Sequence, residues 1–96
     1  MRGYKALNED MSTLYRNMIY ELNKVYEIEG KLIMCENGYH FCKELINVYY
    51  YYSSNSRVFE IDTLDGEIIK KGNKYCSRKI KLIREVSKEE INKYIE

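Results

Sequence analysis

The run Lys79-Ile80-Lys81-Leu82-Ile83-Arg84-Glu85-Val86 is the most strand-like stretch of the chain, with apolar residues interleaved among charged ones. Its backbone donors and acceptors need partners, and an exposed edge strand here could pair two copies of the chain. Candidate partner strands are present. Arg57–Asp62 alternates, which predicts Val58, Glu60 and Asp62 on one face and Phe59 and Ile61 on the other. Residues 67–70 read as its return strand after a turn at Asp65-Gly66, and Gly72-Asn73 turns the chain again. Residues 3–7 read as a first short strand. Further strands are expected at about 16–20 and 24–28, around the turn Leu22-Asn23-Lys24, and at 31–34. In the first of these, the four-residue spacing of Leu14, Met18 and Leu22 competes with a helix. Asn37-Gly38 is a turn, and residues 39–42 form an extended bridge beyond it.

Two stretches read as helices. Residues 43–51, continuing to Tyr52, carry Leu45, Ile46, Val48, Tyr49 and Tyr52 at helical spacing. Near the C-terminus, Ser87 with Glu90 three residues later forms a capping box, and Ile91, Tyr94 and Ile95 give the helix its apolar stripe. The fold class expected is α+β: a small twisted, mainly antiparallel sheet with two short helices, in one domain over residues 1–96.

Composition narrows the function classes. No apolar run approaches the ~18 residues of a membrane span, and the first five residues lack the apolar segment of a secretory signal. Three cysteines, an odd number, fit free thiols in a reducing cytoplasm better than a disulfide scaffold. Sixteen basic and 15 acidic residues leave a net charge of +1, which gives no general attraction to free DNA or a membrane surface. There are 11 tyrosines and no tryptophan. Tyrosine's apolar face and polar tip suit interaction surfaces as well as small cores.

Four constellations carry chemistry. Cys35, His40 and Cys42 offer zinc-type donors, but the spacing is C-x4-H-x-C with no C-x2-C knuckle, so no metal or other cofactor is expected. His40 and Cys42, two apart, share a face of an extended segment, the arrangement of a thiol and its base. No third orienting residue accompanies them, and buried structural cysteines are the simpler reading. Tyr49, Tyr50, Tyr51 and Tyr52 followed by Arg57 combine the residue types of binding hot spots. Lys70, Lys71, Lys74, Arg78, Lys79 and Lys81 form a basic cluster, preceded by an acidic one at Glu60, Asp62, Asp65 and Glu67. Such clusters are solvated hairpin faces or a polarised docking surface.

Segments spread over almost the whole chain carry a resemblance. Gly3-Tyr4-Lys5-Ala6, Lys24-Val25-Tyr26-Glu27, Cys35-Glu36-Asn37-Gly38-Tyr39-His40-Phe41-Cys42 and Lys79–Val86 resemble an uncharacterised domain family widespread in phages and prophages. The Cys-Glu-Asn-Gly-Tyr-His-Phe-Cys block is the specific part. The chain departs from that pattern at residues 13–18 and lacks prolines after the block. More distantly, Gly38-Tyr39-His40-Phe41 followed by a helix is similar to ADP-ribosyltransferase-like folds. In those a late strand carries a catalytic glutamate. The matching Tyr75-Cys76-Ser77-Arg78-Lys79 has no acid, so the likeness implies a scaffold rather than catalysis.

The phage resemblance implies a stand-alone anti-CRISPR-type inhibitor in the host cytoplasm. Its partner would be a bacterial defence effector protein, with or without guide RNA, occluded without chemistry. The contacts expected are Tyr49, Tyr50, Tyr51, Tyr52, Arg57, Lys70, Lys71, Lys74, Arg78 and Lys81. The alternatives are a degenerate transferase-like domain holding a nucleotide in a groove beside Tyr39 and His40, and a phage structural or accessory module.

Overall fold

The computed structural model describes residues 1–13, 18–48 and 55–95, without the side chains of Tyr94 and Ile95. Its elements are β1 (Arg2–Leu7), β2 (Val25–Glu27), β3 (Tyr39–Phe41), α1 (Leu45–Val48), β4 (Arg57–Asp62), β5 (Ile68–Lys71), β6 (Lys74–Ser77), β7 (Lys79–Val86) and α2 (Lys88–Ile95). The expected α+β class holds. The strands make two antiparallel sheets, ordered β1-β4-β7-β2 and β3-β6-β5.

β7, the most strand-like run of the sequence, is not the exposed edge that could pair two copies, because β4 and β2 flank it, and it does one thing the alternation did not announce. Glu60 pairs with Arg84, but Ile61 pairs with Leu82, so Ile83 is an extra residue. One inserted residue transfers everything beyond it to the other face of a sheet. Ile80 and Leu82 therefore pack with Leu7, Tyr20, Phe41, Phe59 and Ile61, whereas Val86 packs with Ala6, Leu45, Val48, Val58 and Ile91. Both faces of the four-stranded sheet are covered, one by the helices and one by the second sheet. The division of faces predicted for β4 holds: Phe59 and Ile61 belong to one core, and Val58, on the opposite face, is 1% exposed against α1 and α2. Full burial of a side chain such as Phe59 or Ile61 contributes about 1.5–3 kcal/mol.

The two sheets meet where Tyr4 and Cys42 exchange backbone hydrogen bonds of 2.7 and 2.8 Å. A Cβ at Gly3 would lie 2.6 Å from the Phe41 ring and 2.7 Å from the Cys42 carbonyl, so only glycine permits this approach.

The strand expected at 31–34 is absent. Ile33 and Asn37 form one bridge, with residues 34–36 in a turn and Cys35 at a φ of 67°. Side chains hold this loop instead of a ladder. Asn37 Nδ2 donates to the carbonyls of Glu29 and Lys31, both at 2.9 Å, and Arg78 Nη1 donates to that of Gly30 at 2.8 Å. Of the strand expected at 16–20, the described part is a single bridge between Ser12 and Ile19. Helix α1 is described only over Leu45–Val48. Tyr49, Tyr50, Tyr51 and Tyr52 lie outside the described residues, as does Leu14. β6 was not anticipated, because residues 74–77 are too short and polar to stand out. At α2 half of the capping box forms. The Glu90 N–H donates to Ser87 Oγ at 3.1 Å, but the Glu90 carboxylate turns to Arg84. Among the described residues no helix is long and apolar enough to cross a membrane.

Candidate functional site

The bridge between β1 and β3 creates a cleft. Tyr4, Lys5 and Ala6 from β1 face the turn at 35–38 and residues 39–42, with Met18, Tyr20, Ile28, Val48 and Lys74 closing the sides of a groove of about 480 Å³. Its size is that of an ordinary small-molecule pocket. Tyr39 and His40, expected beside a groove, both line it.

Tyr20, Tyr26 and Tyr39 form an aromatic cluster, with ring centroids 5.1, 6.3 and 6.5 Å apart. Burial pushes the Tyr39 hydroxyl above its ordinary pKa, and Tyr26 and Glu27 add to the effect. Lys5 reaches across from β1. Its Nζ donates to the His40 carbonyl at 2.5 Å and stands 5.9 Å from the Tyr20 ring centroid. Gly38 makes the tight floor possible. Its φ is 147°, and a Cβ there would strike Cys76 Sγ and lie 2.5 Å from Leu32 Cδ1.

The described hydrogen bond of the imidazole goes to the backbone: His40 Nε2 accepts the Cys35 N–H at 3.0 Å. Cys42 is 7% exposed, and burial raises its thiol pKa against the opposing pull of Lys5 and Lys74. At neutral pH it is therefore protonated. Cys76 is fully buried, opposite His40 in the β3–β6 ladder. Among the described residues no three His, Cys, Asp or Glu side chains gather in a way that could hold a metal ion.

The basic residues expected at an interface divide into two kinds. Arg57 is committed. Its Nε and Nη2 bind Glu85 at 3.0 and 2.7 Å, and its Nη1 binds the Glu9 carbonyl at 3.1 Å. Arg78 braces the 28–30 loop and lies 3.4 Å from Glu67. Lys79 pairs with Asp65 at 2.8 Å, and Lys81 stands half-buried opposite Asp62 in the ladder. Lys70, Lys71 and Lys74 differ: they are exposed on the β5–β6 hairpin. Among the described residues none of the three forms an ion pair. Lys71 sits directly opposite Lys74, and Lys70 lies 5.4 Å from the Tyr75 ring centroid. The hairpin thus brings Lys70, Lys71 and Lys74 together, whereas Arg57 and Arg78 are engaged within the fold.

The groove residues Lys5 and Tyr20, and Tyr26 in the aromatic cluster beside them, are not marked as a site by the sequence. The one available signal was Lys5, a charge in a short strand next to Ala6 and Leu7. Nothing local links the two tyrosines to Tyr39, because the contact is made by folding.

Residues 1–94 match the family described as "Domain of unknown function (DUF7666)", and the chain belongs to that family. Comparison with curated proteins gives no match, and comparison with solved structures gives none.

Proposed function

We propose that the protein is a phage- or prophage-encoded binding protein that inhibits a bacterial antiviral defence effector in the host cytoplasm. It acts by covering part of the effector's surface, with or without contact to guide RNA, and performs no chemistry. The observation that carries this reading is the β5–β6 hairpin. Like charges directly across a ladder are destabilising by up to ~1 kcal/mol, yet Lys71 faces Lys74 with Lys70 beside them and, among the described residues, no acid paired to any of the three. A surface that concentrates unneutralised charge is ready to meet an acidic partner. The resemblance of the Cys35–Cys42 block to phage and prophage domains supplies the biological setting. The arrangement of His40 and Cys42 favours binding over catalysis, because the described hydrogen bond of the imidazole goes to the Cys35 backbone.

The test is capture by tagged protein from a bacterial lysate that holds a defence effector, with and without nuclease. The expected result is recovery of the effector, lost when Lys70 and Lys71 are both replaced by Glu. Loss on nuclease treatment assigns the contact to guide RNA. Equal recovery by wild type and variant would overturn the assignment to the hairpin, and recovery of the tagged protein alone would overturn inhibition itself.

A further inference from the structure

We propose that the groove between β1 and β3 is a binding site for an aromatic phosphate monoester, with the planar ring against the tyrosine cluster and the phosphate toward Lys5 and Lys74. The inference does not depend on the inhibitor reading and shares only Lys74 with it.

The charge of the walls carries the argument. The chain has nearly equal numbers of acidic and basic residues, and carboxylates neutralise most of its arginines. The groove departs from that balance. Its described lining includes Lys5, Lys74 and His40 but no Asp or Glu. Glu27, whose charge acts on Tyr39, is not part of the described lining. Lys5 and Lys74 line the same groove from different sheets, Lys5 from β1 and Lys74 from β6. A phosphate monoester carries roughly −1.5 to −2 charges at neutral pH, which two ammonium groups match better than a carboxylate does.

The second observation concerns shape and surface. Half-buried Tyr39 lines the cleft with Tyr20, 2% exposed, packed against it, so a supported aromatic ring is already in place. Stacking on such a ring tolerates any planar partner, whether a nucleobase or a phenyl group. Lys5 is fixed by the His40 carbonyl, so little side-chain freedom is lost when an anion arrives. The volume of about 480 Å³ accommodates one ring, a short spacer and a phosphate.

Two sources share this chemistry, a mononucleotide and a phosphorylated tyrosine. The experiment is calorimetric titration of the whole chain with phenyl phosphate, adenosine monophosphate and phosphotyrosine, with adenosine, phenol and inorganic phosphate as single-element controls. Thermal melts with the same compounds provide a second readout, because a ligand selective for the folded state raises the Tm. Phenyl phosphate is expected to bind more tightly than phenol or phosphate. Lys74→Gln, on an exposed hairpin, is expected to weaken it by about tenfold, which corresponds to about 1.4 kcal/mol. Lys5→Gln should weaken it at least as much. Preference for adenosine monophosphate would identify a nucleotide site, and preference for phosphotyrosine a phosphopeptide site. No binding of any phosphate ester at low-millimolar concentration would overturn the proposal. So would binding that survives Lys74→Gln unchanged.

Discussion

The two sheets dispose of their charges in opposite ways. In the four-stranded sheet the arginines face acids: Arg2 with Asp62 at 3.3 Å, Arg57 with Glu85, and Arg84 between Glu60 at 2.8 Å and Glu90 at 2.9 Å. Arg84 also ties α2 to the sheet, because Glu90 belongs to the helix and Glu60 to β4. In the three-stranded sheet Lys70, Lys71 and Lys74 stand together with no acid paired to them among the described residues. The first arrangement serves stability, and the second is the charge that the proposed function assigns to a partner. The same substitution, removal of a cation, should therefore have opposite signs in the two places.

The largest test removes what the sheets share. Phe59 is fully buried between them, and Phe59→Ala should cost about 3–5 kcal/mol in urea unfolding, enough to unfold much of a small domain. A cost under ~1 kcal/mol would show that the sheets do not form one core. Next is Gly38→Ala at the groove floor. A positive φ costs about 1–3 kcal/mol for a residue with a Cβ, and overpacking against Cys76 and Leu32 adds a comparable amount. A drop of several degrees in Tm would show that the less neutralised sheet is still integral to the fold.

The charge comparison itself involves smaller effects. Arg84→Met should lower stability by about 0.5–1 kcal/mol, a value held down because the side chain is 45% exposed and screened by water and salt. The loss should shrink at high salt. The same ion pairs set a pH dependence. Arg57 hydrogen bonds hold Glu85 below the ordinary glutamate value of 4.5, and Arg84 does the same to Glu90. A carboxylate with a depressed folded pKa stabilises fully above its ordinary pKa and loses that contribution as pH falls toward the folded value. The urea midpoint should accordingly fall as pH drops below about 4.5, and less steeply in Arg57→Gln. An unchanged slope would detach the ion pair from acid stability. The smallest effect has the opposite sign: Lys71→Thr should raise stability by about 0.2–1 kcal/mol by ending the Lys71–Lys74 repulsion.

Strands whose chemistry is local could be read in advance. β7, β4 and β1 carry enough apolar alternation to be recognised, and Ser87 marks the start of α2 by the side chain that caps it. What was not legible depends on partners far along the chain. Residues 31–34 look like a strand, but Asn37 and Arg78 take the carbonyls of residues 29–31. The extra residue Ile83 leaves no mark in an apolar run, yet it decides which core Val86 joins. Residue type and clustering did not reveal that Arg57 pairs with Glu85 and that Arg78 braces the 28–30 loop. Tyr39 and His40 were found at the groove because the turn at Asn37-Gly38 announces itself. Lys5 and Tyr20 were missed because they reach it from other elements.

The division between the sheets is tested most directly by measuring one variant twice. Lys70→Glu/Lys71→Glu protein is compared with wild type for capture of the defence effector and, from the same preparation, for its urea midpoint. Loss of capture with a midpoint equal to or above wild type is the predicted result. Capture retained at wild-type level, or a midpoint that falls as it does for Arg84→Met, would contradict the account.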